Sequence, residues 1–227
     1  MPLGQGAARI ALSAQLGAPL PVLYVVSTPI GNLEDITLRA LRILQEVGLI
    51  AAEDTRVTRR LLERHDISTP VSSYNEHNKR TKTARLVEKL AEKDVALVSD
   101  AGTPGVNDPG ADLVSAASEA GFPVVSVPGP SSITASVSVS GITGDRFVHM
   151  GFLPRRRGDR KRALGAVMES KAPIVLLEAP HRLLDSLEDL LEVLGDRNVV
   201  VCRELTKLHE EIFRGSVSAA HEHFREP

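Results

Sequence analysis

Three times in its first 132 residues this chain runs from a short apolar segment directly into a loop of glycine, proline and small polar residues. Val22 to Val26 leads into Thr28-Pro-Ile-Gly-Asn-Leu-Glu-Asp-Ile-Thr37, Val95 to Val98 into Ser99-Asp-Ala-Gly-Thr-Pro-Gly-Val-Asn-Asp-Pro-Gly110, and Val124 to Val127 into Pro128-Gly-Pro-Ser-Ser132. Strand, loop and helix repeated in that order predict a parallel α/β sheet, and such sheets bind ligands beyond the carboxyl ends of their strands. The three loops are therefore expected to gather on one sheet edge and share one ligand. Their glycines permit close backbone approach, Pro104 and Pro109 stiffen the middle loop, and Asp100 can accept hydrogen bonds from a polar ligand. None of the loops reads G-x-G-x-x-G or G-x-x-x-x-G-K-[ST], which weighs against a dinucleotide or a nucleoside triphosphate.

Hydrophobic periodicity fills in the rest. Strands are expected at 22–26, 49–52, 71–73, 95–98 and 124–127, with helices at 37–46, 56–65, 79–92 and 111–120, as a first α/β unit. In the 37–46 helix, Leu38, Leu41, Ile43 and Leu44 form one apolar stripe and Asp35 is the expected cap. A second α/β unit follows: helix 131–140, strand 147–152, helix 161–169, strand 173–177, helix 183–194, strand 198–203, a short strand around Ile212 and a helical stretch at 217–224. The expected division is a flexible extension over 1–21, an N-terminal α/β domain over 22–128 and a C-terminal α/β domain over 129–227.

With 227 residues, a net charge of −2 and one cysteine, the chain is neither a disulfide scaffold nor a globally basic nucleic-acid binder. Cys202 follows the apolar run Val199 to Val201 and reads as a buried core thiol in a reducing compartment. No apolar run reaches the roughly 18 to 20 residues that span a bilayer. Arg9 lies too far along to start a signal peptide, so a cytoplasmic protein is expected, without a membrane partner. No histidines and cysteines fall at metal-ligand spacing, the exposed pair His221 and His223 aside, so no metal is expected.

Five further constellations carry chemistry. Arg155, Arg156, Arg157, Arg160, Lys161 and Arg162 gather cations at the start of a helix, where they oppose its dipole. An anionic substrate such as RNA accounts for them through phosphate neutralisation, and a solvated loop is the bland alternative. Glu53-Asp54 sits at a strand end, where adjacent carboxylates repel unless held, by Arg56 or by a catalytic duty. Tyr74-Asn-Glu-His-Asn78 offers Asn75, His77 and Asn78 as substrate contacts, or is simply a polar turn. Glu178-Ala-Pro-His-Arg182 and Arg203-Glu-Leu-Thr-Lys207 each end an apolar strand, and if those strands are parallel neighbours the two segments share a rim. Glu178 with Arg182 and Glu204 with Lys207 also make sense as salt bridges.

These blocks, with Ala52-Glu-Asp-Thr-Arg56 and Gly151-Phe-Leu-Pro154, run in order from about Val22 to Ser218 and resemble the ribosomal RNA small subunit methyltransferase I family. That family belongs to the tetrapyrrole-methylase-like class of S-adenosylmethionine enzymes. Tyr74 and Asn75 depart from the family's usual form, and Leu177 stands where it often carries an aromatic residue. The resemblance implies two α/β units with the methyl donor in a cleft between them, and methylation of a cytidine ribose 2′-OH in small-subunit rRNA or the 30S subunit. Donor-binding residues are then expected at Pro29, Gly31, Asp100, Ala101, Gly102, Thr103, Pro128, Gly129, Ser131 and Ser132, and catalytic groups among Glu53, Asp54, His181, Glu204 and Lys207. RNA is expected across the basic patch and the 74–78 loop. The family is commonly homodimeric, and a further C-terminal strand is expected beyond Pro227, so the sequence reads as a shortened chain. Two rivals stay open: a tetrapyrrole methyltransferase of the same class, and a non-catalytic rRNA-binding assembly factor. Aromatic residues make up only 3% of the chain, which disfavours a base-stacking module.

Overall fold

The computed structural model describes residues 19–142 and 144–225, so most of the extension expected at 1–21 lies outside the described residues. The chain divides into two compact units, Met1–Ser131 and Ser132–Pro227.

Five strands build the first unit: β1 (Leu23–Val26), β2 (Leu49–Ala52), β3 (Val71–Ser73), β4 (Val95–Val98) and β5 (Val124–Val127). They pair in parallel in the order β3-β2-β4-β1-β5. The helices are α1 (Leu38–Glu46), α2 (Thr55–Arg64), α3 (Lys79–Leu90) and α4 (Ala111–Glu119). One sheet face, with Val26, Ile50, Ala52, Ala96 and Val98, packs on Ala40, Ile43 and Leu44 of α1 and Leu61 and Leu62 of α2. The opposite face, with Leu23, Ala51, Val95 and Leu97, packs on Leu86 and Leu90 of α3 and Leu113 and Ala117 of α4. Covered on both faces, β4 is apolar at every position and no residue in it is more than 1% exposed. Each fully buried Val or Leu is worth about 1.5–3 kcal/mol.

Two details of α1 differ from expectation. The cap is Thr37, whose Oγ1 accepts from the Ala40 N–H at 3.1 Å, because Leu33–Asp35 forms a separate turn of 3-10 helix capped by Asn32. Leu38 is 86% exposed, since the stripe that meets the sheet runs through Ala40, Ile43 and Leu44. Replacing Thr37 by Ala is expected to cost about 1 kcal/mol, read as a lower urea midpoint at constant m-value.

The second unit holds two small sheets. β6 (Val148–Phe152) pairs in parallel with β7 (Ile174–Leu177), and β8 (Asn198–Arg203) pairs antiparallel with β9 (Glu211–Ser216). The parallel pairing of 173–177 with 198–203 on which a shared rim depended is not formed among the described residues; β8 pairs with β9. Its helices are α5 (Ser132–Ser140), α6 (Arg157–Gly165), α7 (Leu183–Leu194) and α8 (Val217–Arg225). Leu187 of α7, with Val217 and Ala220 of α8, forms a core against Val199, Val201, Phe213 and Phe224.

Helix α6 starts at Arg157, four residues before the expected 161. Asp189 of α7, with a fully buried side chain, receives Arg157 Nε at 2.8 Å and Arg160 Nη2 at 2.6 Å. Those two cations are balanced from the neighbouring helix, so part of the dipole penalty assigned to an anionic substrate is met within the protein. Among the described residues no helix is long and apolar enough to cross a membrane.

Candidate active site

Strands β4, β1 and β5 are consecutive in the first sheet, so the three glycine and proline loops leave adjacent strand ends on one edge. The first two are stitched together. Thr28 and Gly102 exchange backbone hydrogen bonds at 2.9 and 3.0 Å, the Ser27 and Thr103 hydroxyls meet at 2.8 Å, and Thr28 Oγ1 donates to the Ser99 carbonyl at 3.1 Å. Gly102 sits at φ +83°, in the left-handed region that favours glycine. The third loop presses on the first: a Cβ on Gly129 would stand 3.1 Å from Ser27 Cβ. Pro29 and Gly102 are buried, whereas Gly31, Ala101, Pro128 and Gly129 are exposed on this edge. Ser131 ends the first unit, and Ser132 opens α5 in the second. Ser27, Thr28 and Ser99 were missed as loop-shaping groups; their signal was polar residues placed directly after an apolar strand.

Four carboxylates stand on or beside the loops: Asp100 and Asp108 on the middle loop itself, Glu53 and Asp54 after β2. Glu53 Oε2 accepts the Asp100 N–H at 3.2 Å, and Asp100 Oδ1 accepts the Asp54 N–H at 2.8 Å. Burial pushes the Glu53 carboxyl up; the Asp100 amide opposes this, and the charges of Asp100, Asp108 and Asp54 add to it. Burial also raises Asp108, against a hydrogen bond from Ser99 and with a further push from Asp100. Asp54 behaves differently. The Arg56 side chain and backbone N–H both bind it, lowering its pKa to about 2, and it caps α2. Arg56 therefore holds Asp54 alone, and Glu53 is held by the Asp100 amide. Asp108 lies in the quoted 99–110 loop but did not stand out, because nothing local tells that its carboxyl faces Glu53 and Asp100.

In the 74–78 segment the structure favours turn building. Tyr74 is fully buried, with its hydroxyl 3.1 Å from Thr83 Oγ1. Asn75 and Asn78 each accept the other's backbone N–H, at 3.2 and 2.9 Å, and Asn78 Nδ2 donates to Ser73 Oγ at 3.1 Å. His77 is exposed.

Within the second unit, the end of β7 is clamped. Glu178 accepts the Ala179 N–H at 2.8 Å and the Ser186 hydroxyl at 2.6 Å, and it pairs with Arg182 at 3.2 Å. Arg182 reaches back to the Leu153 carbonyl at 2.8 Å. His181 is exposed on the 3-10 turn Pro180–Arg182. Beyond β8, Glu204 and Thr206 hold left-handed φ values of +51° and +67°, uncommon for residues with a side chain. Lys207 Nζ pairs with Glu204 at 3.1 Å, and Glu210 accepts the Thr206 N–H at 2.6 Å. Glu178 and Leu205 both border a cavity of about 220 Å³, whose wall also includes Ser132, Ser136, Leu177 and Cys202. Cys202 is half-buried against this cavity, which corrects its expected place in the core; burial raises its thiol pKa.

The basic patch is less free than its sequence suggests. Arg160 is 4% exposed and engaged with Asp189, so it faces the protein interior. Lys161 pairs with Glu192 at 2.5 Å and Arg162 with Asp159 at 3.0 Å, and Arg157 divides itself between Asp189 and Glu192. Arg155 and Arg156 are exposed and form no ion pair among the described residues.

The family described as Tetrapyrrole (Corrin/Porphyrin) Methylases matches residues 22–221 of this chain. A Thermotoga maritima protein named ribosomal RNA small subunit methyltransferase I is 50% identical over 203 residues, 89% of this chain and 91% of its own. One of the same name from Halalkalibacterium halodurans is 48% identical over 199 residues, 87% of this chain and 69% of its own. Among solved structures, the uroporphyrin-III-C-methyltransferase of Thermus thermophilus covers 90% of this chain and 89% of its own, with a TM-score of 0.62 at 22% identity, a likeness of fold.

Proposed function

Because this chain belongs to the tetrapyrrole methylase family and, within it, to the ribosomal RNA small subunit methyltransferase I family, we propose that it methylates the ribose 2′-oxygen of a cytidine in small-subunit rRNA, with S-adenosylmethionine as donor. The observation that carries the reading is the stitched carboxyl edge of the first sheet, read with the names of relatives near half identity. The uroporphyrin methylase neighbour, at 22% identity, supports the fold alone, so the tetrapyrrole reading has the weaker footing.

The residues present fit such a donor. Gly102 and Gly129 bring bare backbone to the edge, and the Glu53, Asp100 and Asp108 carboxylates supply negative charge suited to a cation. Pro29, Gly31, Asp100 to Thr103, Pro128, Gly129 and Ser131 would hold it. When bound, S-adenosylmethionine supplies a methyl group already activated by its sulfonium charge. What the chain must add is orientation, worth about 7–11 kcal/mol for well-aligned partners, and a group to take the 2′-OH proton. Asp54 is committed to Arg56 and to capping α2, and Lys207 and Glu204 are committed to each other. Glu53 is engaged by the Asp100 N–H, which leaves His181 as the candidate for that proton.

RNA contact falls to Arg155 and Arg156, joined by the exposed faces of Arg157 and Arg162 and by His77. Changing Arg155 and Arg156 together to Gln is expected to weaken RNA binding and to flatten the log-log salt slope by about 0.7 per lost single-strand phosphate contact, with donor affinity unchanged. An unaltered slope in filter binding would move the RNA elsewhere. The family resemblance extends the reading to a homodimer, which sedimentation measures directly. The test of the function is methyl transfer from labelled S-adenosylmethionine. Label in a 2′-O-methylated cytidine of 30S subunits or free 16S rRNA is expected. Label in a uroporphyrinogen instead, or RNA binding without turnover, would overturn the reading.

A further inference from the structure

At the ends of β2 and β4 the backbone ladder stops, but the hydrogen bonding continues. The Glu53 N–H still donates to the Val98 carbonyl at 3.3 Å. One residue further, side chains take over: the Glu53 carboxylate accepts the Asp100 N–H, and the Asp100 carboxylate accepts the Asp54 N–H. Two residues beyond Asp100, Gly102 is tied from the other side by its two backbone hydrogen bonds with Thr28. The short segment Asp100 to Gly102 is thus pinned at both ends, by β2 through a side chain and by the β1 loop through backbone.

We propose that Glu53 is a positioning residue, whose carboxylate, acting through the Asp100 N–H, sets the 99–110 loop in the shape that receives the methyl donor. The role rests on the functional reading above. A carboxylate accepting a backbone N–H is a charge-assisted bond, about twice as strong as a neutral one, so it suits a side-chain tie that must fix backbone. The arrangement has a cost in stability. The groups around the Glu53 carboxyl are Asp54, Asp100 and Asp108, with Arg56 turned to Asp54, and burial with those carboxylates raises its pKa. An acid whose folded pKa is raised destabilises the fold while it is ionised, and that penalty disappears as pH falls through the raised value. Stability and donor binding should consequently separate on substitution.

Three variants of the full chain test this: Glu53→Gln, which keeps an oxygen acceptor without charge, Glu53→Asp, which shortens the reach by one methylene, and Glu53→Ala. Calorimetric binding of S-adenosylmethionine, kcat and the donor KM on 30S subunits, and Tm are measured for each. Glu53→Ala is expected to raise the donor Kd and KM about tenfold with kcat nearly unchanged, the size of one hydrogen bond to a charged acceptor. Glu53→Gln is expected to stay within about threefold of the unmodified chain in Kd while its Tm rises, and Glu53→Asp to fall between. If Glu53→Ala does not fold, the Gln and Asp pair carries the same comparison. Unchanged donor binding in Glu53→Ala overturns the positioning role, and so does a loss of kcat at constant KM in both Gln and Ala, which would make Glu53 the base. Donor binding without RNA methylation in the unmodified chain overturns the functional reading, while the Kd series still decides the role of Glu53. An unmodified chain that does not bind the donor overturns both.

Discussion

Gly102→Val is expected to give a folded chain that has lost S-adenosylmethionine binding by about 100-fold or more. The glycine holds φ +83°, and a β-branched residue in that left-handed region is strained. The nearest atoms to an added Cβ are Ile30 Cγ2 at 3.6 Å and the Pro130 carbonyl at 3.9 Å, ordinary contacts, so the obstacle is backbone conformation more than collision. Strain of about 1–3 kcal/mol is small against a typical domain stability, and the loop relieves it by leaving the left-handed region. That departure breaks the reciprocal Thr28–Gly102 bonds and moves the segment between Asp100 and Thr103. Misplacement of about 1 Å at an oriented site costs roughly a hundredfold, which sets the size of the effect. Calorimetry on a variant with unchanged circular dichroism is the measurement, and retained affinity would remove this loop from the donor site.

Asp189→Ala is expected to cost the second unit about 3–5 kcal/mol, the usual penalty for stripping one partner from a buried ion pair. The fully buried Asp189 carboxylate binds Arg157 and Arg160, and the latter side chain is only 5% exposed. Without the acid, Arg160 is left buried and unpaired while α6 loses its tie to α7. Burial alone would push the Asp189 carboxyl up; hydrogen bonds and charge from Arg157 and Arg160 outweigh it and hold the pKa below its ordinary 3.8. A depressed acid stabilises the fold above its unfolded pKa and loses that contribution as pH falls through the folded value. The difference in urea stability between the unmodified chain and Asp189→Asn should therefore be full at neutral pH and shrink below about pH 4. A difference independent of pH would show that the pair is not ionic.

Local pattern carried far in this chain where one physical rule acted alone. The boundaries of β2, β3, β4, β5, α7 and β8 agree with the periodic reading, since each is a clean run bounded by turn residues or by a change of period. The basic stretch misled because charge was counted along the chain: Asp189 and Glu192, which neutralise Arg157, Arg160 and Lys161, lie about 30 residues away. Asp35 looked like a cap because of its residue type, yet the 3-10 turn before α1 passed that duty to Thr37.

By itself, then, the sequence determined the order of strands and helices, the gathering of three glycine and proline loops on one sheet edge, and the family. Short-range steric rules and hydrophobic period act within about ten residues and are written in the local residue types. Only the tertiary structure decided which charges are free and which are spent. Glu53 faces Asp100 because β2 and β4 are neighbours in space. Arg160 is interior because α7 brings Asp189 beside it, and β8 turns to β9 because the short 204–210 segment returns the chain antiparallel. Ion pairs and strand partners depend on distances between segments far apart in the chain, and those distances exist only once the segments have packed together.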